Sequence, residues 1–260
     1  MEHSLTTTIS ENARRWGALW GSEPDAWAAT EAQQAPVYEA ALRAVGLTRG
    51  ARVLDVGCGT GVFLRQCADL GADVAGVDAS EGLLEIARAR VPDADLRQAD
   101  MIDLPFADDT FDVVTGFTSF FFADDIVRAL SEARRVARPG GAVVAEVFGH
   151  PDRCDIEAVK AAAARFRDSE AEYWRPDAIE VLLPDAGLQL ERAFDVDCTY
   201  RYPDEAALGE AMLAAGGAGR LAGEHADALR AAIVDALAHC RQADGSYHLA
   251  NEWHVVIARA

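Results

Sequence analysis

The sequence predicts an α/β fold, an open parallel sheet with helices on both faces. Three observations carry that prediction. Val53-Leu54-Asp55-Val56 runs straight into Gly57-Cys58-Gly59-Thr60-Gly61, and a helical pattern, Val62–Ala68, follows at once. Strand, glycine turn and helix in that order form the nucleotide-binding corner of an open α/β sheet. Apolar strand-length runs then alternate with helix-length patterns as far as Phe148. Continuous apolar strands separated by helices mark a parallel sheet covered on both sides. Finally, the 260 residues contain no repeat and no low-complexity linker, so a single domain spanning 1–260 is expected.

Residues 12–45 read as helices. Trp16, Leu19 and Trp20 share one face, and Val37, Ala41, Leu42 and Val45 form a second stripe. Ser22–Asp25 is a turn and restart, with Pro24 at a first helical position. Strand one is 51–56 and the first core helix 61–70. Strand two, 73–78, ends at Asp78, and Ser80 caps a helix that Pro92 closes. A short strand, 95–99, precedes Asp100. Strand four is 111–117, a helix spans about 126–137, and strand five is 142–148. Beyond residue 150 the sequence predicts helices at 155–167 and 177–186, a long strand at 188–202, Ala-rich helices over 204–243 and a terminal strand at 253–259.

Composition narrows the function. Half the residues are hydrophobic, and 24 basic against 43 acidic residues give a net charge of −19. That field repels phosphate backbones and anionic lipid, so neither nucleic acid nor membrane is expected as a partner. A neutral or cationic small molecule fits. The five cysteines are widely spaced with no C-x-x-C pair, so neither zinc nor a redox motif is expected. Their odd number suits free thiols in a reducing compartment. With no signal-peptide pattern and no bilayer-length apolar run, a soluble cytoplasmic protein is expected.

The glycine turn distinguishes between cofactors. A dinucleotide site requires G-x-G-x-x-G. Here Gly57, Gly59 and Gly61 alternate, Val62 and Phe63 follow, and Asp55 stands inside the strand end. A carboxylate there repels a pyrophosphate and attracts an ammonium group.

In these features the chain resembles the class I S-adenosylmethionine-dependent methyltransferases, of the small-molecule kind common in bacteria. The resemblance rests on five stations in order: Val53–Gly61, Asp78-Ala79-Ser80, Asp100-Met101, Phe111–Phe117 and Arg138–Gly141. It covers 50–150 well and the rest in outline. It implies a doubly wound, Rossmann-like sheet of seven strands with an antiparallel last strand. It also implies an amino-terminal helical lid over 1–46, a cofactor-binding core over 50–150, and acceptor-side elements over 151–260. S-adenosylmethionine would be the cofactor and S-adenosylhomocysteine the product. Asp55, Gly57, Cys58 and Gly59 would meet the methionine part, Asp78, Ala79 and Ser80 the ribose, and Asp100 and Met101 the adenine, with Phe117 flanking the methionine.

Methyl transfer from a sulfonium is a single displacement. The protein mainly aligns the nucleophile, and a base is needed only where that nucleophile must lose a proton. His150, after strand five, is the candidate base; the other reading is a solvated loop histidine beside a proline. Glu146, in an otherwise apolar strand, either reaches the site or satisfies a buried neighbour. Trp20, Phe121, Tyr173 and Trp174 are the candidate acceptor-pocket residues, against a reading as ordinary core contacts. The expected function is methyl transfer to oxygen, nitrogen or carbon of a small molecule, with oxygen slightly favoured by the histidine. The alternative is an enzyme of the same fold that binds S-adenosylmethionine and catalyses a cyclisation or rearrangement.

Overall fold

A computed structural model describes residues 9–166, 175–215 and 218–260. Its centre is a seven-stranded sheet in the order β3-β2-β1-β4-β5-β7-β6. The strands are β1 Arg52–Val56, β2 Asp73–Asp78, β3 Asp95–Gln98, β4 Phe111–Phe117, β5 Ala137–Phe148, β6 Gln189–Tyr202 and β7 Tyr247–Arg259. β7 lies antiparallel to both β5 and β6; the pairings among β1 to β5 are parallel. The strand order reverses between β1 and β4. The crevice beyond their carboxyl ends is where an open sheet receives a ligand.

Three helices precede the sheet: α1 Glu11–Trp20, α2 Pro24–Glu31 and α3 Ala35–Val45. Within it come α4 Val62–Asp69, α5 Glu81–Arg90, α6 Ile126–Val136 and α7 Ile156–Ala164. Between β6 and β7 stand α8 Glu205–Ala214, α9 Ala218–Ala222 and α10 Ala226–Ala236, a helical insertion formed by the Ala-rich helices expected over 204–243. The caps follow the sequence. Ser10 Oγ accepts the Ala13 amide, Ser80 Oγ that of Leu83, and Asp125 Oδ1 that of Arg128.

Two apolar layers sandwich the sheet. One joins Tyr38 of α3, Leu64 of α4 and Ile233 of α10 to Val53, Val144 and Val255. The other packs Leu130 of α6, with Ile179 and Leu183, on Leu54, Val114 and Val143. Both layers reach zero exposure at several leucines. Truncating one of these would cost about 2–5 kcal/mol, which holds the carboxyl edge rigid under the loops it carries.

The structure corrects the sequence reading at three places. Residues 177–186 form two single turns, Pro176–Ala178 and Glu180–Leu182, instead of a helix. Pro184 removes a helical donor and restricts the residue before it. β5 begins at Ala137 because Phe111 pairs with Ala137 before a shift in register, so Arg138–Gly141 lies within the strand. β7 begins at Tyr247, where the alternation buried, exposed, buried, exposed runs from Tyr247 to Ala250 opposite β6.

Candidate active site

The glycine turn sits at the reversal point. The amides of Gly57 and Cys58 both donate to Val77 O, which draws the turn onto β2. Gly57 has φ +78°, and a Cβ there would meet Ser119 Cβ at 2.5 Å. Ser119 in turn donates to Val56 O at 2.6 Å, locking the end of β1 to the loop after β4. Only glycine allows that approach.

Asp78 lies beside the turn. Its Oδ2 accepts the Gly59 amide at 2.9 Å and its Oδ1 the Ser80 amide at 2.8 Å. Each oxygen keeps further acceptor capacity, which suits two neighbouring hydroxyls. Burial raises its pKa above the usual carboxylate value, and the backbone donors pull it back. Asp55 is buried beneath, where Thr115 Oγ1 donates to it at 2.7 Å. Burial pushes Asp55 up to about 7, Thr115 opposes that, and the nearby charges of Glu31 and Asp78 add to it.

Glu31 is the residue that the sequence reading missed. It ends α2, is 5% exposed, and accepts the amides of Thr60 at 2.9 Å and Val62 at 3.4 Å. Those amides belong to the turn that opens α4, and a helix amino terminus of this kind is an anion seat. The chain's own carboxylate fills it. Burial raises Glu31 to about 7 despite those donors. A phosphate would compete with Glu31 for the same amides, so this corner is not built as a phosphate cradle.

α1 and α2 roof the crevice. Gly17 packs on the backbone of Ala79, where a Cβ would lie 2.5 Å from the carbonyl oxygen. Asn12 Nδ2 donates to Phe122 O at 2.7 Å, and the Ser10 amide donates to Asp100 Oδ2 at 3.1 Å. Trp16 meets Phe122 in a tilted contact with centroids 4.6 Å apart. Trp20 meets Trp27 edge-on at 4.5 Å. Beneath them lie two adjoining cavities of about 40 and 100 Å³. A larger hollow of about 720 Å³ lies at the opposite end of the sheet, among Arg52, Asp73, Pro92 and Phe111. Topology favours the carboxyl edge over that hollow.

The expected residues divide accordingly. Gly57, Gly59, Asp78, Ala79, Asp100, Met101, Phe117 and Trp20 line the cavities. Asp55, Cys58 and Ser80 are not among the lining residues; all three are buried, and burial pushes the Cys58 thiol well above its usual pKa. The phenylalanine run, one turn from Phe120 to Phe122, splits three ways. Phe120 is buried in the core, Phe122 lines both cavities, and Phe121 lies between Phe122 and Phe148. His150 stands at the carboxyl edge but lines neither cavity; its Nδ1 accepts the Asp152 amide at 3.3 Å. Glu146 is buried and accepts from Thr118 Oγ1 at 2.5 Å, and burial raises it to about 8. Thr118 has φ +51°, a strained conformation for a β-branched residue, and it lines the larger of the two cavities. Tyr173 and Trp174 lie outside the described residues. All five cysteines are free and buried.

Known proteins resemble this chain in sequence and in fold. A family profile described as "Methyltransferase domain" matches residues 54–145. A phosphatidylethanolamine N-methyltransferase of Cereibacter sphaeroides is 38% identical over 149 residues, covering 55% of this chain and 72% of that protein. The chain belongs to the class I S-adenosylmethionine-dependent methyltransferases. A demethylmenaquinone methyltransferase of Renibacterium salmoninarum is 44% identical over 108 residues, 42% of this chain and 46% of the relative. The chain spans about half the length of the demethylmenaquinone methyltransferases it matches. Among solved structures, the 4+2 cyclase SpnF superposes with a TM-score of 0.58 at 21% identity, covering 86% of this chain and 80% of that one. At that identity the likeness concerns the fold alone. No helix among the described residues is long and apolar enough to cross a membrane.

Proposed function

We propose that this chain transfers the methyl group of S-adenosylmethionine to a small, neutral or cationic acceptor with an apolar body. The observation that carries the reading is the charge of the crevice. Glu31, Asp55 and Asp78 converge on the glycine turn, and among the described residues none of them forms an ion pair. Arg90, whose charge acts on Glu31, is itself engaged by Thr60 O at 2.6 Å. Burying carboxylates without cations is costly. A ligand carrying an ammonium and a sulfonium, with no phosphate, offsets that cost. The aromatic roof of Trp16, Trp20 and Phe122 offers π faces to the same positive charge.

In this reading Asp78 holds the ribose hydroxyls and Asp100 accepts from the adenine amino group. Met101 and Ala79 bound the base, while Asp55 and Glu31 set the potential around the amino-acid part. When bound, the cofactor supplies an activated methyl and its own leaving group. The protein orients the acceptor and excludes water. The cavities are smaller than the roughly 300–1,000 Å³ of ordinary ligand sites, so α1 lifts to admit the cofactor. Asp100 then exchanges the Ser10 amide for the adenine donor. A row of rings, Phe122, Phe121 and Phe148, leads from the cavity along the carboxyl edge, with successive centroids 4.6 and 6.2 Å apart. It supports an acceptor with apolar surface. The two curated relatives are named for demethylmenaquinone and phosphatidylethanolamine, both of which have such surface.

Calorimetry with S-adenosylmethionine and S-adenosylhomocysteine tests the cofactor, and absence of heat with both rejects it. Mass spectrometry of turnover tests the reaction. A product heavier by one methyl group is expected, whereas an isomeric product would establish the non-methylating alternative.

A further inference from the structure

We propose that Asp155, His239 and Cys240 form a binding site for a divalent cation of the zinc type, apart from the cofactor crevice. Asp155 precedes α7, and His239 and Cys240 lie in the single turn Ala238–Cys240 after α10. Asp155 and His239 are 84 positions apart, so no sequence spacing reveals the set. Folding brings one oxygen, one nitrogen and one sulfur to within 4.8 Å of one another.

The geometry is that of converging ligands. His239 Nε2 lies 2.9 Å from Asp155 Oδ1 and 3.4 Å from Cys240 Sγ. A tetrahedral zinc centre has bonds of about 2.0–2.2 Å to nitrogen and oxygen and about 2.3 Å to sulfur, which places neighbouring ligand atoms roughly 3.3–3.6 Å apart. Small side-chain rotations reach that arrangement. A nucleophilic relay would need cysteine and aspartate on opposite nitrogens of the ring. Here both approach the same nitrogen, so the set is not a relay, and its three ligand atoms converge on one point. A cation at the centre satisfies all three.

The surroundings fit as well. Asp155 Oδ2 accepts the Ala250 amide at 2.7 Å, which fixes the carboxylate and aims Oδ1 at the cluster. Cys240 is 3% exposed, while the His239 side chain is 60% exposed, giving an entry path and room for a solvent ligand. A mixed sulfur, nitrogen and oxygen set selects zinc-like ions over magnesium or calcium. Bound there, the ion would tie the end of the helical insertion to the first turn of α7 and, through Asp155, to β7.

Cobalt(II) titration of the purified full chain is the test, with zinc as competitor. The native protein should develop a thiolate-to-cobalt charge-transfer band and tetrahedral visible bands, which zinc abolishes. Cys240→Ser should lose the charge-transfer band. His239→Ala, at an exposed position that leaves the fold intact, should weaken zinc binding at least about tenfold, and zinc should raise its melting temperature less than that of the native chain. Absence of the band in the native protein, its persistence in Cys240→Ser, or unchanged zinc affinity in His239→Ala would each overturn the proposal.

Discussion

The carboxyl edge of the sheet carries two sets of buried or half-buried acids, and the fold partners them differently. On the β5–β7 side, Glu252 is paired with Arg153, and Glu157 meets Lys160 at 2.6 Å. Arg153 also reaches Asp197 at 2.8 Å. On the β1–β2 side, Glu31, Asp55, Asp78 and Asp100 have only backbone and hydroxyl donors among the described residues. The first set is internally compensated and reads as architecture. The second set has donors that orient it and, with only the charge of Arg90 acting on Glu31, no ion pair among the described residues, so it is open to a positive charge from outside. Within one edge of one sheet, the difference separates a structural network from a binding site. Glu146 lies between them: among the described residues it forms no ion pair, and its carboxyl holds the strained Thr118 at the boundary.

The largest effect that could break this comparison is loss of an uncompensated acid. Asp78→Ala removes the acceptor assigned to the ribose hydroxyls and should weaken S-adenosylhomocysteine binding by about 1–3 kcal/mol, roughly 5–150-fold. Calorimetry reads it directly. Unchanged affinity would place the ribose elsewhere and dissolve the distinction between the two sets.

Protonation sharpens it next. Glu31 and Asp55 both titrate near 7, raised by burial. Their pKa values lie above those of the unfolded chain, so between about pH 4 and 7 the native state binds more protons. The stability of the cofactor-free protein therefore falls as pH rises through that window. A cationic ligand prefers the ionised acids and reverses the trend. Its binding should release protons near pH 7, and affinity should improve about tenfold from pH 6 to pH 8 for each group that must ionise. Titrations in buffers of different ionisation enthalpy count the released protons. A pH-independent affinity would mean that these acids do not face the ligand's charge.

The core of the site was legible because its signals are local. Val53–Gly61 specifies a strand and turn through its own residues, and Asp78 and Asp100 follow strands whose apolar runs are short and continuous. The structure sets Gly57, Asp78 and Asp100 around one crevice. What the sequence concealed depends on long-range docking or on rotation. Glu31 closes α2, whose PDAWAATE carries no apolar stripe, and its partner Thr60 lies 29 residues away. Phe121 and Phe122 are neighbours in a single tight turn, where successive side chains point about 120° apart. The sequence marks the run as aromatic, and only the turn's orientation decides which ring enters the cavity. Residues 177–186 show the reverse case, since Pro184 was visible and should have outweighed the helical pattern around it.

The smallest effect is expected at His150, which belongs to the compensated side. Its amide donates to Glu252 Oε1 at 3.0 Å, and its Nδ1 accepts the Asp152 amide. A neutral imidazole has one donor and one acceptor nitrogen. With Nδ1 accepting, the proton resides on Nε2, and the nitrogen left over is a donor. A neutral ring held in this way presents a donor to the crevice, and a base would have to leave the turn. His150→Gln keeps an acceptor for the Asp152 amide and should change kcat less than about twofold, with cofactor affinity unaltered. A positioned general base is worth about 10²–10⁴-fold. A loss of that size would show that the ring leaves its turn during catalysis, which would carry the functional boundary past β5 and into the network that otherwise reads as architecture.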